Sequence, residues 1–234
     1  MFVVLAICDL GCFISWAWSL TETSVANSNL LHNMIPVFAT IGGWLFLNHR
    51  FSRTFIAGAI VAVAGTSIIG IADWQIADDR LTGDILALLS AFFYAISYLI
   101  MEKLRENFSA TTILQWACFF RTLLILPVLL ISQDRIFPIS WSGWLTVISL
   151  GILCEAIGQV IVVHSLKKFS AGFVSLFLLF DPVMAAILSA VIFAERLSLT
   201  NWFAFAVILI GIYLAQSGNS GEKNNPQKLE VNNL

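Results

Sequence analysis

Residues 1–20, MFVVLAICDLGCFISWAWSL, form an apolar run that is long enough to cross a bilayer, because a membrane-spanning helix needs about 20 mostly apolar residues. Asp9 is the one charged side chain in this run. A secretory signal peptide would carry a positive charge near its start, whereas the first Lys or Arg of this chain is Arg50. The run therefore predicts a retained transmembrane helix with an acid near its middle.

Further apolar windows follow along the chain, and short linkers hold most of the charges. The composition, 59% apolar and 11% charged, excludes an ordinary soluble domain, which averages about 25% charged residues. The runs are continuous, unlike the alternating segments of about 10 residues in a transmembrane β-barrel. We predict an all-α polytopic membrane protein of about eight transmembrane helices, at approximately 2–20, 24–47, 54–72, 83–101, 112–132, 142–164, 170–194 and 200–217.

The distribution of basic residues predicts the orientation, since cytoplasmic loops of membrane proteins are enriched in Lys and Arg. If both termini are cytoplasmic, the outer segments hold only Arg80, Arg135 and Arg196. We therefore expect an N-in and C-in protein of the plasma membrane, or of the inner membrane in a bacterium. The inner segments then hold Arg50, Arg53, Lys103, Arg105, Lys167, Lys168, Lys223 and Lys228.

A shift of 146 positions aligns residues 1–70 with residues 147–216. Pro36 then falls on Pro182, and the intramembrane acid Asp9 falls on Glu155. The two copies enter the membrane from opposite sides, which predicts an inverted repeat of the kind found in secondary transporters. We expect a partial first repeat of three helices (1–72), an extracytoplasmic acidic linker (73–82), a second repeat of five helices (83–217) and a disordered cytoplasmic tail (218–234).

Several short motifs occur in a fixed order: TSVAN (23–27), PVF (36–38), WLFL (44–47), GDILALL (83–89), DPV (181–183) and AERLS (194–198). On these motifs the chain resembles the EamA-type branch of the drug/metabolite transporter superfamily. The resemblance implies ten helices in two inverted five-helix repeats that move small metabolites, often outward. By this comparison the first two helices are lacking, which leaves a fragment, a misplaced start and a genuine eight-helix protein as alternatives. The Gly-Glu-Arg of the family is Asn48-His49-Arg50 in the first copy.

Four ionisable groups in apolar windows are candidates for substrate binding or coupling. A charge near a helix centre costs about 2.5–3.5 kcal/mol on insertion scales, so it normally faces a cavity or a partner. Arg121 needs an internal counter-ion, an anionic substrate or water, and a purely structural ion pair with Asp9 or Glu155 is the alternative. The fourth candidate is Asp181, beside a proline.

Uncharged polar and aromatic residues complete the candidate site. Each has a structural alternative, namely helix adhesion, satisfaction of backbone groups near a proline, or packing. Pro36 and Pro182 are expected to kink equivalent helices, since proline removes a backbone donor. The remaining candidates are Trp16, Asn29, His32, Asn33, Tyr94, Tyr98 and Gln159.

The sequence contains no P-loop or other nucleotide motif, so an ATP-driven pump is not expected. The four cysteines lack metal-ligand spacing, and we expect no metal, no cofactor and no enzymatic activity. The prediction is a secondary transporter of small polar metabolites, such as amino acids, that exports by alternating access. The alternative is a non-transporting partner subunit or an inactive N-terminally truncated fragment of a ten-helix carrier. Expected partners are a small-molecule substrate and the lipid bilayer, not nucleic acid, with a homodimer as one assembly option.

Overall fold

The computed structural model describes residues 1–72, 81–132, 137–184, 187–188 and 199–218. Most of the predicted acidic linker, the predicted tail beyond residue 218, and Glu195 with Arg196 lie outside this range.

Helices make up nearly all of the described chain, which confirms the all-α prediction. Six stretches are long and apolar enough to cross a membrane: Phe2–Glu22, Asn27–Leu47, Leu81–Leu104, Ala110–Pro127, Trp141–Ser165 and Leu199–Ser217. Two shorter apolar helices, Arg53–Ile68 and Ala171–Met184, occupy the third and seventh predicted windows. The helices are α1 (Phe2–Glu22), α2 (Val25–His32), α3 (Ile35–Leu47), α4 (Arg53–Ala72), α5 (Leu81–Leu104), α6 (Ala110–Ser132), α7 (Trp141–Ser149), a π-helix (Leu150–Gln159), α8 (Val160–Ser165), α9 (Ala171–Phe177), a 3₁₀ turn (Leu178–Phe180) and α10 (Leu199–Ser217).

The second predicted window is divided into α2 and α3. Ser24 caps α2 by accepting a hydrogen bond from the backbone N–H of Asn27 at 3.1 Å. Pro36 lies in the first turn of α3, where its missing N–H would have had no intrahelical partner in any case. The predicted proline kink is therefore a break between two helices, after which the chain continues across the same candidate span.

The stretch from Trp141 to Ser165 is the least buried candidate span. Only 6% of its residues are buried, compared with 39% in the span formed by α1. Its centre is a π-helix that carries both Glu155 and Gln159. π-helical turns are rare and occur frequently at functional sites, which makes this segment relevant to the site described below.

Small residues allow α4 and α10 to pack closely. A Cβ atom at Gly211 would overlap the backbone of Ala62, and one at Gly58 would overlap the backbone of Ala215. Such close backbone approach is typical of membrane helices, where small residues favour association through van der Waals contact. On the other side of the bundle, α1 packs mainly against α5 and α6.

A buried carboxylate holds one end of the bundle together. Glu102 of α5 is fully buried; its Oε2 accepts a hydrogen bond from the backbone N–H of Ala171 at 2.7 Å, and its Oε1 lies 3.2 Å from Nε2 of His49. Nearby, Arg105 donates from Nε to the carbonyl of Val163 at 3.1 Å. The segments after α3, after α5 and between α8 and α9 therefore meet at this end.

Candidate functional site

The centre of the site is a guanidinium between two carboxylates. Arg121 of α6 places its Nη2 3.2 Å from Oε2 of Glu155 in the π-helix. Its Nε lies 3.8 Å from Oδ2 of Asp9 in α1. The ion pair expected from the sequence is present, and it involves both predicted partners rather than one.

These three side chains differ in how far they are buried. The exposed fraction is 3% for the side chain of Asp9, 15% for Arg121 and 39% for Glu155. Asp9 Oδ1 has no hydrogen-bond partner within 3.5 Å among the described residues. With both acids ionised the cluster carries one negative charge in excess, so it can accept a further cationic group.

Arg121 is also held from its own helix and from α1. Its Nη2 lies 3.1 Å from Sγ of Cys118, and its guanidinium lies over the ring of Phe13, 5.7 Å from the ring centroid. A cation at this distance from an aromatic face is attracted by the ring quadrupole. The guanidinium is therefore positioned by four neighbours before any substrate arrives.

A band of rings extends from α1 through α2 to α5. The ring centroids of Trp16 and His32 are 5.4 Å apart, those of His32 and Tyr94 6.0 Å, and those of Tyr94 and Tyr98 4.7 Å. Gln159 donates from Nε2 to the hydroxyl of Tyr94 at 3.2 Å. This hydrogen bond connects the band to the π-helix, which also carries Glu155.

His32 is oriented by Ser90. The Ser90 hydroxyl donates to the carbonyl of Ala87 at 2.7 Å, so its oxygen is left to accept a hydrogen bond from Nδ1 of His32, also at 2.7 Å. A neutral imidazole has one donor and one acceptor nitrogen. Nε2 of His32 is therefore the acceptor in this arrangement.

Three of the predicted site residues do not join this assembly. Asn29 and Asp181 are exposed and Asn33 is half-buried, and no hydrogen bond or ion pair links them to the cluster among the described residues. Pro182 follows Asp181, and no hydrogen bond or ion pair among the described residues links it to the cluster either.

Other residues in the core were not predicted as site residues. Asn27 and Ser97 are buried polar residues. Asn27 Oδ1 has no partner in the described part of the chain, and the same holds for Trp16 Nε1, whereas Ser97 of α5 faces the carboxylate of Asp9 in α1. Ser97 follows Tyr94 by three positions and so lies on the same face of α5. The three-residue spacing from Tyr94 was therefore the feature of the sequence from which Ser97 could have been predicted.

The comparison with known protein families decides the class of this protein. A family model described as the EamA-like transporter family matches residues 1–71 and 81–216. The chain belongs to the EamA-like transporter family.

Relatives of this EamA-like chain carry transporter names. The uncharacterized transporter YxxF of Bacillus subtilis is 26% identical over 223 residues, which cover 92% of this chain and 70% of YxxF. A riboflavin transporter of Vibrio cholerae is 28% identical over 165 residues, or 69% of this chain and 53% of that protein. A solved crystal structure shares the fold with a TM-score of 0.81 at 19% identity, over 91% of this chain and 76% of the other.

Family membership and the apolar helices identify a multi-pass membrane protein of a transporter class, and members of the EamA-like family are transporters rather than enzymes. No group of three metal-ligating side chains occurs among the described residues of this EamA-like chain. The charged cluster and the ring band are thus the features from which its transport function can be argued.

Proposed function

We propose that this protein is a secondary carrier that exports small polar metabolites, such as amino acids, by alternating access without ATP. The observation that carries the proposal is the Arg121 bridge between Asp9 and Glu155. Ionisable residues inside membrane segments normally mark substrate or ion pathways. In this chain three of them come together from three different helices.

The charge balance of the cluster supports a substrate with both an amine and a carboxylate. When both acids are ionised, the excess negative charge attracts an ammonium group, and Asp9 Oδ1 has no hydrogen-bond partner within 3.5 Å among the described residues. Arg121 can bind a substrate carboxylate in two-pronged geometry when Glu155 releases it. Glu155 is the more exposed of the two acids, so it is the one that we expect to move.

The ring band supports the same substrate class. Trp16, His32 and Tyr94 present apolar faces with polar edges, which suits a small solute that has both a hydrocarbon part and hydrogen-bonding groups. The Nε2 acceptor of His32 and the Nε1 donor of Trp16, which has no partner among the described residues, provide such groups.

Alternating access requires contacts between the two halves to break at one end at a time. The predicted halves are residues 1–72 and 83–217. At one end the Glu102–His49 contact joins them; elsewhere Thr23 donates to Asp84 Oδ1 at 2.8 Å, between the end of α1 and the start of α5. We propose that transport opens these two contacts in turn.

We propose that the protein lies in the plasma membrane with both termini in the cytoplasm. This orientation is supported by the contacts at the Glu102 end. These contacts bring together the loops that carry Arg50, Arg105 and Lys167, which are among the basic residues assigned to the cytoplasmic side by the positive-inside rule.

The test is counterflow of radiolabelled amino acids into vesicles reconstituted with the full chain. Asp9→Asn removes the charge and keeps the shape, and Glu22→Gln, at the exposed end of the same helix, is the matched control outside the cluster. We expect Asp9→Asn to lower the exchange rate by about tenfold or more, the equivalent of one lost charge-assisted hydrogen bond, while Glu22→Gln retains most of it. Full activity of Asp9→Asn with an unchanged pH dependence would exclude Asp9 from binding and coupling.

A second candidate function is that of a non-transporting partner subunit. The exposed surface of the Trp141–Ser165 stretch favours it, because this stretch is 6% buried and leaves Glu155 accessible from the side. This candidate predicts no counterflow by the chain alone and recovery when a second EamA-like protein is reconstituted with it. Counterflow by the chain alone would exclude it.

A further inference from the structure

A groove lies between the end of α3 and the start of α4, away from the charged cluster. It has a volume of about 610 Å³ and is lined by Thr40, Ile41, Trp44, Arg50, Phe51 and Ile56. The lining is apolar except at Thr40 and Arg50. We propose that this groove binds an anionic phospholipid, with its phosphate on Arg50 and an acyl chain along the apolar walls, independently of the transport proposal.

The position of the groove along the helices matches the geometry of a lipid. The candidate span that contains α3 ends at Leu47, and Arg50 follows three residues later, at the membrane interface. Thr40 lies seven residues before Leu47, about 10 Å deeper at 1.5 Å per residue. The groove thus extends from the interface into the hydrocarbon layer, with its cation at the mouth.

The walls of the groove are fixed before a lipid binds. The Phe51 ring stacks on that of Phe55 with centroids 4.8 Å apart, and it meets the His49 ring edge-on at 6.0 Å. Phe55 is fully buried. A preformed site loses less conformational entropy on binding than a mobile one, so Phe51 provides a rigid wall. Trp44 is 62% exposed and lies one turn before the helix end, where tryptophan is enriched in membrane proteins.

Charge complementarity selects an anionic headgroup. Arg50 and Arg53 are both exposed, and neither is paired with a carboxylate in the described part of the chain. A guanidinium binds phosphate oxygens through parallel hydrogen bonds. Basic pockets between transmembrane helices are known to bind anionic lipid headgroups, and Arg50 is the arginine of this pair that lines the groove.

The two arginines provide a matched experiment. The full chain is purified in mild detergent, stripped of lipid, and titrated with phosphatidylglycerol or phosphatidylcholine of identical acyl chains; bound lipid is counted by native mass spectrometry. We compare Arg50→Gln with Arg53→Gln, which removes the same charge from the same loop but not from the groove. Ile56→Trp is a third variant, which narrows the apolar part and keeps both charges.

We expect the wild type and Arg53→Gln to retain one phosphatidylglycerol in preference to phosphatidylcholine. Arg50→Gln should weaken phosphatidylglycerol binding by about tenfold, as expected for the loss of a hydrogen bond to a charged group, and Ile56→Trp should weaken both lipids. Equal losses in Arg50→Gln and Arg53→Gln would overturn the proposal in favour of general surface charge. Equal retention of the two lipids by the wild type would also overturn it, as would a protein dimer in place of bound lipid.

Discussion

Replacement of Glu102 by alanine should destabilise the protein far more than the loss of an ordinary acid. Glu102 is fully buried and accepts a hydrogen bond from the backbone N–H of Ala171 at 2.7 Å, while His49 Nε2 lies 3.2 Å from its other oxygen. Glu102→Ala leaves the backbone N–H of Ala171 without its acceptor and removes the carboxylate beside His49. The orphaned buried N–H costs about 1–3 kcal/mol, so the free energy of unfolding is expected to fall by at least about 1–3 kcal/mol.

The assay is thermal unfolding of the detergent-solubilised full chain, followed by tryptophan fluorescence. A loss of 1 kcal/mol lowers the Tm of a chain of this size by about 2–4 °C, so a mid-range loss of about 2 kcal/mol corresponds to about 4–8 °C. Glu102→Gln keeps an acceptor for Ala171 and should cost about half as much or less. The sign is the same for both variants, and the loss in Glu102→Gln measures what the charge contributes when the acceptor and the side-chain volume are kept.

Glu106→Ala is the matched control, four residues further along. Glu106 pairs with Lys103 at 2.9 Å, with exposed fractions of 41% and 52%, and an exposed ion pair is worth about 0.2–1 kcal/mol. The Tm of Glu106→Ala should therefore lie no more than about 4 °C below that of the wild type. If Glu102→Ala lowered the Tm no further than Glu106→Ala, the inference that a buried carboxylate holds this end of the bundle would be wrong.

Two further predictions use the same thermal assay. Gly211→Val should lower the Tm by several degrees more than Gly151→Val. A Cβ atom at residue 211 would overlap the backbone of Ala62, whereas nothing among the described residues lies within 4 Å of a Cβ atom at residue 151. Similar Tm values for the two variants would contradict the close packing of α4 on α10. Arg121→Gln should cost about 3–5 kcal/mol, since it leaves buried charge uncompensated, and adding Asp9→Asn should restore part of that loss; strictly additive effects would show that the two side chains do not interact.

The helices and the ionisable residues within them could be predicted from the sequence because the bilayer acts on each segment separately. An apolar run of about 20 residues predicts a span wherever it occurs, and an acid inside such a run is conspicuous without any knowledge of its neighbours. Asp9, Arg121 and Glu155 were found in this way. A kink was predicted at Pro36, since proline acts on the local backbone, whereas the structure has a break between helices at Asn33–Met34, just before that residue.

The tertiary structure alone decided which of these residues meet. Arg121 contacts both acids, a result that hydropathy leaves open, whereas Asn29 and Asp181 were also candidates from the sequence and are exposed. The Glu102–His49 contact joins residues 53 positions apart, both of which lie just outside the predicted windows, and the sequence gives no signal that they meet. The reason is physical: transfer to lipid depends on the composition of one helix, but contact between side chains depends on the rotation of each helix about its axis and on how closely its neighbours approach.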